Sequence, residues 1–60
     1  MKYVVIGAGR QGVAAAYDLA VFGGADQIHL LDIHKDAAEA GAARLNRLLG
    51  RDVAKGAAAD

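Results

Sequence analysis

Tyr3-Val4-Val5-Ile6-Gly7-Ala8-Gly9-Arg10-Gln11-Gly12 is the stretch that decides the fold, because an apolar, β-branched run passes directly into a G-x-G-x-x-G turn. Twenty residues after Gly12, Asp32 closes a second apolar run, Ile28-His29-Leu30-Leu31. A strand, a glycine turn, a helix and an acidic residue on that schedule form the fingerprint of a dinucleotide-binding βαβ unit. Each glycine has its own physical task. Gly7 lets the chain leave the strand in a tight turn, since without a Cβ it adopts backbone angles closed to other residues. Gly9 has no side chain to keep a pyrophosphate from the main chain, and Gly12 permits close packing of helix on strand.

The helix opening near Arg10 aims unpaired N–H groups and the positive end of its dipole at the same spot, so an anion is held there largely by backbone. The amides of Arg10 and Gln11 are the expected pyrophosphate donors. The Arg10 guanidinium either reaches a phosphate or points to solvent. Asp32, at the tip of the second strand, suits the ribose hydroxyls and repels a 2′-phosphate, which favours NAD over NADP. His34 and Lys35 stand just beyond and soften that repulsion if they turn inward. Ile33 is placed to line the adenine. The expected cofactor-binding set is therefore Gly7, Gly9, Arg10, Gln11, Gly12, Asp32 and Ile33.

The rest of the chain reads as a continuation of this unit. A first strand over 2–6 is continuous and β-branched, the pattern of a parallel strand covered on both faces. A helix follows over 10–22, its small-residue face built from Gly12, Val13, Ala16 and Ala20 and its end marked by Gly23-Gly24. A second strand is expected over 27–33, joined to the first by a right-handed crossover. Asp36 and Glu39 suggest a variant capping box for a second helix over 37–49, with Ala38, Ala42, Leu45, Leu48 and Leu49 as its apolar stripe and Gly50 as its stop. Residues 53–59 read as a third strand, although alanines are poor strand formers and Gly56 interrupts the run. The fold class is then α/β, a Rossmann-type doubly wound parallel sheet truncated to a β-α-β-α-β half with strand order 3-2-1. Residues 1–60 form a partial dinucleotide-binding domain with no second domain. The first strand is left with an open edge at 4–6, a route to self-association.

Composition narrows the function classes. The 60 residues are 55% hydrophobic and 23% charged, as in an ordinary globular protein. Seven basic and seven acidic residues cancel, and no basic block provides a footprint for nucleic acid. The absence of cysteine excludes disulfides and thiolate chemistry within these residues. The two histidines lack convergent ligand spacing, so no metal site is expected. No apolar run approaches the 18 to 20 residues or so needed to span a bilayer, and the strand beginning at Lys2 leaves no room for a signal leader. A cytoplasmic protein is expected. His29 reads as a histidine packed on the sheet and His34 as a solvated loop residue. Tyr17 and Asp18 fall on the outer helix face.

The segments 1–12, Ala15-Ala16-Tyr17-Asp18-Leu19-Ala20 and Ile28-His29-Leu30-Leu31-Asp32 resemble the start of the saccharopine dehydrogenase-like family, the lysine 6-dehydrogenase branch above all. That resemblance implies an amino-terminal Rossmann domain of an oxidoreductase that uses NAD or NADP on an amino-acid carbon–nitrogen bond. Gly7, Gly9, Gly12 and Asp32 match its cofactor positions, and Asp60 resembles its acidic residue near the adenine. The family's catalytic groups lie beyond residue 60, so none is assigned here, and the remainder of the domain is an implied partner. Two other readings share the fingerprint. One is an adenylating, ubiquitin-activating-like fold that binds ATP, and the other is a non-enzymatic NAD-sensing module. A flavin site is disfavoured, since flavoproteins of this kind more often carry Glu at the position of Asp32.

Overall fold

Three strands and two helices alternate along the chain in a computed structural model that describes residues 1–7 and 9–58. Strand β1 spans Lys2–Ile6, helix α1 Arg10–Val21, strand β2 Gln27–Asp32, helix α2 Lys35–Leu49 and strand β3 Ala54–Ala58. All strands are parallel, and β2 lies between β1 and β3. This is the expected 3-2-1 arrangement of a Rossmann-type half. Ala8, Ala59 and Asp60 lie outside the described residues, as therefore do the last residue of the expected third strand and the proposed adenine-side carboxylate.

Strand alternation sorts the side chains into two faces. In register, Tyr3, Ile28 and Ala54 form one row and Val5, Leu30 and Gly56 the next. Both helices pack on this face, where Ala16 and Ala20 of α1 and Ala38, Ala42 and Leu45 of α2 join Ile28 and Leu30 in the core. Ile28, Leu30 and Leu45 are fully buried, and each burial stabilises the fold by about 1.5–3 kcal/mol. Among the described residues, no helix lies on the opposite face. Val4 is 61% exposed and Ile6 83%, which corrects the expectation that β1 is covered on both sides. The apolar run in β1 reports the environment of a complete doubly wound sheet, whereas two successive right-handed crossovers place both helices on one side.

The local corrections have local causes. Strand β2 ends at Asp32, one residue early, and Ile33 is 74% exposed. Helix α2 begins two residues early at Lys35, with His34 as its N-cap and no side-chain capping bond, so the Asp36–Glu39 capping box is not formed. Those two residues lie inside the first turns instead, where Glu39 pairs with Lys35 at 3.7 Å. Leu48 drops out of the buried stripe at 58% exposure. Helix α1 ends at Val21, with Phe22 as its C-cap. Gly50 does stop α2, in the left-handed region at φ 71°.

Two features hold β3 in place. A Cβ at Gly56 would lie 2.2 Å from the Ala38 carbonyl oxygen, so the residue that reads as an interruption is where the α2 backbone rests on the strand. Asn46, in the penultimate turn of α2, accepts the Val53 and Ala54 N–H groups on Oδ1 at 2.8 and 2.7 Å. Its amide donates to the Ala54 carbonyl at 2.9 Å. One side chain thus satisfies three backbone groups at the entry of β3, which offsets the weak strand propensity of its alanines.

Candidate functional site

The carboxyl ends of β1 and β2 and the start of α1 converge on one corner of the molecule. Gly7 adopts φ +93°, and its N–H donates to the Leu31 carbonyl at 2.7 Å. That bond ties the glycine turn to the residue just before Asp32. Gly9 is the N-cap of α1, and the first helical bond runs from the Val13 N–H to its carbonyl at 2.9 Å. Helix geometry therefore leaves the amides of Arg10, Gln11 and Gly12 without an acceptor inside the helix. No side chain caps this end, and no acidic residue stands in the first turn.

The three glycines differ in what surrounds them. A Cβ at Gly12 would fall 1.7 Å from the Gly7 oxygen and 2.8 Å from its carbon. No side chain fits there without moving α1 from β1. At Gly9 a Cβ would meet nothing within 4 Å, so the space over that residue is open to an approaching group. Gly7 is likewise open and is constrained by its angle instead.

Asp32 shares strand parity with Ile28 and Leu30, so its carboxylate projects on the helix-covered side of the sheet, the side of α1. It is half-buried, and its Oδ1 accepts the His34 N–H at 2.9 Å. An Asx-type turn thereby fixes the carboxylate at the strand tip. The structure brings Gly7, Gly9, Gly12 and Asp32 to this corner. Arg10 and Gln11 occupy the exposed first two helical positions beside them, and Ile33 is exposed directly after Asp32. His29 is half-buried on the helix-free face, away from the turn, and His34 is exposed at the N-cap of α2.

A separate cleft of about 640 Å³ opens between the two helices, lined among others by Gly9, Arg10, Val13, Tyr17, Arg44 and Leu48. It shares Gly9 and Arg10 with the glycine turn but does not reach Asp32. Strand ends and the α1 terminus supply convergent polar groups of the kind a ligand needs, which makes the turn the candidate site. Tyr17 and Asp18 line the cleft from the outer face of α1.

Sequence reasoning did not single out the Leu31 carbonyl as the anchor of Gly7, nor Asn46. Backbone acceptors leave no compositional trace. Asn46 did carry a signal, because asparagine in the body of a helix is a poor helix former and asks for a bonding partner.

The residues present fit an adenine dinucleotide. The first turn of α1 holds no acidic residue, Gly9 leaves its backbone accessible, and a carboxylate stands at the tip of the neighbouring strand. No family profile matches the sequence, and no curated protein does so either. Among solved structures, the chain is similar to quinate dehydrogenase from Corynebacterium glutamicum in complex with NAD, with a TM-score of 0.86 and 32% identity over 95% of this chain. The chain spans 20% of the length of that protein. No helix among the described residues is long and apolar enough to cross a membrane.

Proposed function

We propose that this chain binds the ADP portion of NAD and serves as the cofactor-binding segment of an NAD(P)-dependent oxidoreductase. The observation that carries the reading is the uncapped, acid-free start of α1 tied by the Gly7–Leu31 bond to the strand that ends in Asp32. The amides of Arg10, Gln11 and Gly12 would hold the pyrophosphate, Asp32 the ribose hydroxyls, and Ile33 one face of the adenine. An ionised carboxylate has about four acceptor positions, so the bond from His34 orients Asp32 while ribose is bound. NAD supplies hydride transfer when bound; the residues here supply binding and orientation. Likeness to a dehydrogenase in complex with NAD supports the reading.

The finer assignment, oxidation or reduction of an amino-acid carbon–nitrogen bond, rests on the sequence resemblance to saccharopine and lysine dehydrogenases. Coupling these residues to the rest of a longer protein would be required for turnover. Calorimetric titration with NAD, NADP and ATP tests the cofactor reading. NAD should bind tightest, and Asp32→Ala should weaken it about tenfold or more, as expected for loss of hydrogen bonds to a charged group. Preference for ATP would move the chain to the adenylating class.

A further inference from the structure

The cleft between the two helices lies beside the glycine turn, and both of its walls belong to this chain. From α1 it takes Val13, Ala14 and Tyr17, and from α2 Ala40, Gly41 and Leu48. Spacings of three and four residues keep each set on one side of its helix. Ala14, Ala40 and Gly41 put a methyl group or less into the space between the helices, so the gap stays open. Its volume of about 640 Å³ falls within the range of about 300–1,000 Å³ that holds small organic ligands.

Two kinds of group meet in this cleft. Tyr17, at 38% exposure, and Leu48, at 58%, give it apolar surface, and Leu48 is the residue of the expected α2 stripe that the core leaves out. Arg10 and Arg44 supply guanidinium groups, and an adjoining depression lined by Arg44, Arg47 and Leu48 adds a third. Ion pairs among the described residues join Met1 to Asp26 and Lys35 to Glu39, so these three arginines have no carboxylate partner there. The helix dipole accounts for Arg47, which stands in the last turn of α2. It does not account for Arg44, because the effect falls off within that turn. Among the described residues Asp18 alone brings a carboxylate to the cleft, which is therefore locally positive on a chain whose charges cancel overall.

We propose that this cleft binds a small aromatic carboxylate. The forked donors of Arg44 and Arg10 hold the carboxylate, and the ring lies against Val13, Tyr17 and Leu48, whose apolar surface it removes from water. A flat ring suits the site because tyrosine rings and guanidinium planes both stack on aromatic faces. A hydrated inorganic anion leaves the apolar wall wet, and an uncharged hydrocarbon desolvates the guanidinium groups without pairing them. The cleft meets the glycine turn at Gly9 and Arg10 and stops short of Asp32. It is a second ligand site beside the cofactor corner, and the inference stands independently of the cofactor reading.

The test is titration of the full chain with 2-naphthoate, followed by its fluorescence and by amide chemical shifts. Saturable binding is expected, with shifts centred on residues 13–17 and 40–48. Arg44→Gln should weaken it about tenfold. Ala40→Leu, which fills the gap from an exposed helical position, should abolish it, and circular dichroism checks the fold of both variants. Uncharged 2-naphthylmethanol should bind about tenfold more weakly than the acid, and inorganic phosphate should not displace it. Asp32→Ala should weaken NAD while leaving naphthoate binding unchanged, which separates failure here from failure of the cofactor reading. The proposal is overturned by the absence of saturable binding, by binding indifferent to Arg44→Gln and Ala40→Leu, by equal binding of the alcohol, by displacement with phosphate, or by shifts confined to the glycine turn. Loss of naphthoate binding as the chain dimerises at high concentration would overturn it by assigning the cleft to a second copy.

Discussion

The two helices start at the same end of the sheet, yet their N-termini are opposite in character. At α1 there is no capping side chain and no carboxylate in the first turn, and Gly12 brings the helix so close to β1 that a single methyl group does not fit. At α2, Asp32 accepts the N–H of the N-cap residue His34, Asp36 stands in the first turn and Glu39 pairs with Lys35. The helix dipole favours negative charge at each of these N-termini. The second helix is supplied with it by the chain, and the first is left to receive it from a ligand. Stability forgone at one terminus is thus available for binding, while the other terminus is settled during folding.

Breaking the close approach gives the largest effect. Gly12→Ala should destabilise the fold by about 3 kcal/mol, at the upper end of overpacking costs, with thermal unfolding followed by circular dichroism as the measurement. Gly9→Ala is the control that sharpens the contrast. Open space at that residue predicts an unchanged melting profile within about 0.5 kcal/mol, together with weakened NAD binding in calorimetry.

Next in size is Asn46→Ala, which strands the Val53 and Ala54 amides and should cost about 2 kcal/mol. Amide exchange should then rise first in β3. A smaller effect separates stability from binding at α1 itself. Gln11→Glu places a carboxylate in the empty first turn and should stabilise the fold by about 0.5 kcal/mol, while lowering NAD affinity through repulsion of the pyrophosphate. If both quantities move in the same direction, the α1 terminus is not where the phosphates bind.

The smallest effect lies at the other end of the sheet from the two helix N-termini. A hydrogen bond from the amino-terminal ammonium group, aided by its charge, holds the Asp26 carboxyl below the usual carboxylate range. A lowered folded-state pKa stabilises the protein above the unfolded pKa of about 4 and is lost as pH falls through the folded value. Acid titration of Asp26→Asn should therefore show a slightly flatter decline below about pH 4 than the parent chain. The group is fully exposed, so solvent screening keeps this difference small.

The open edge of β1 offers one more way to probe the contrast between finished and unfinished surfaces. We propose that unpaired backbone at 4–6 allows weak self-association, read as a concentration-dependent sedimentation coefficient. Lys2 at the start of the strand limits it. A clean monomer at high concentration would remove the edge as an assembly route.

Much of the candidate site's geometry was legible because its glycines answer to backbone sterics that leave a fixed spacing. Gly7, Gly9 and Gly12 stand where the turn, the open approach and the helix contact require them, and Asp32 follows at the strand end. The start of α2 was misread because Asp36 and Glu39 match a capping box in spacing while the chain enters the helix at Lys35. Gly56 was read as a flaw in β3 because the strand pattern does not reveal that a helix backbone lies on it. The bare face of β1 was hidden for the same reason, since a run of Val and Ile reads as doubly covered whatever is present to cover it.

By itself the sequence determined the order of elements, the glycine turn and the position of the acidic residue, since these depend on local backbone freedom and on periodicity along the chain. Tertiary structure alone decided which face of the sheet is covered, where Asn46 spends its hydrogen bonds and that the α2 backbone rests on Gly56. Those outcomes depend on the direction of the crossovers and on contacts between residues distant in the chain, and pairwise distances of that kind have no signature in a linear pattern.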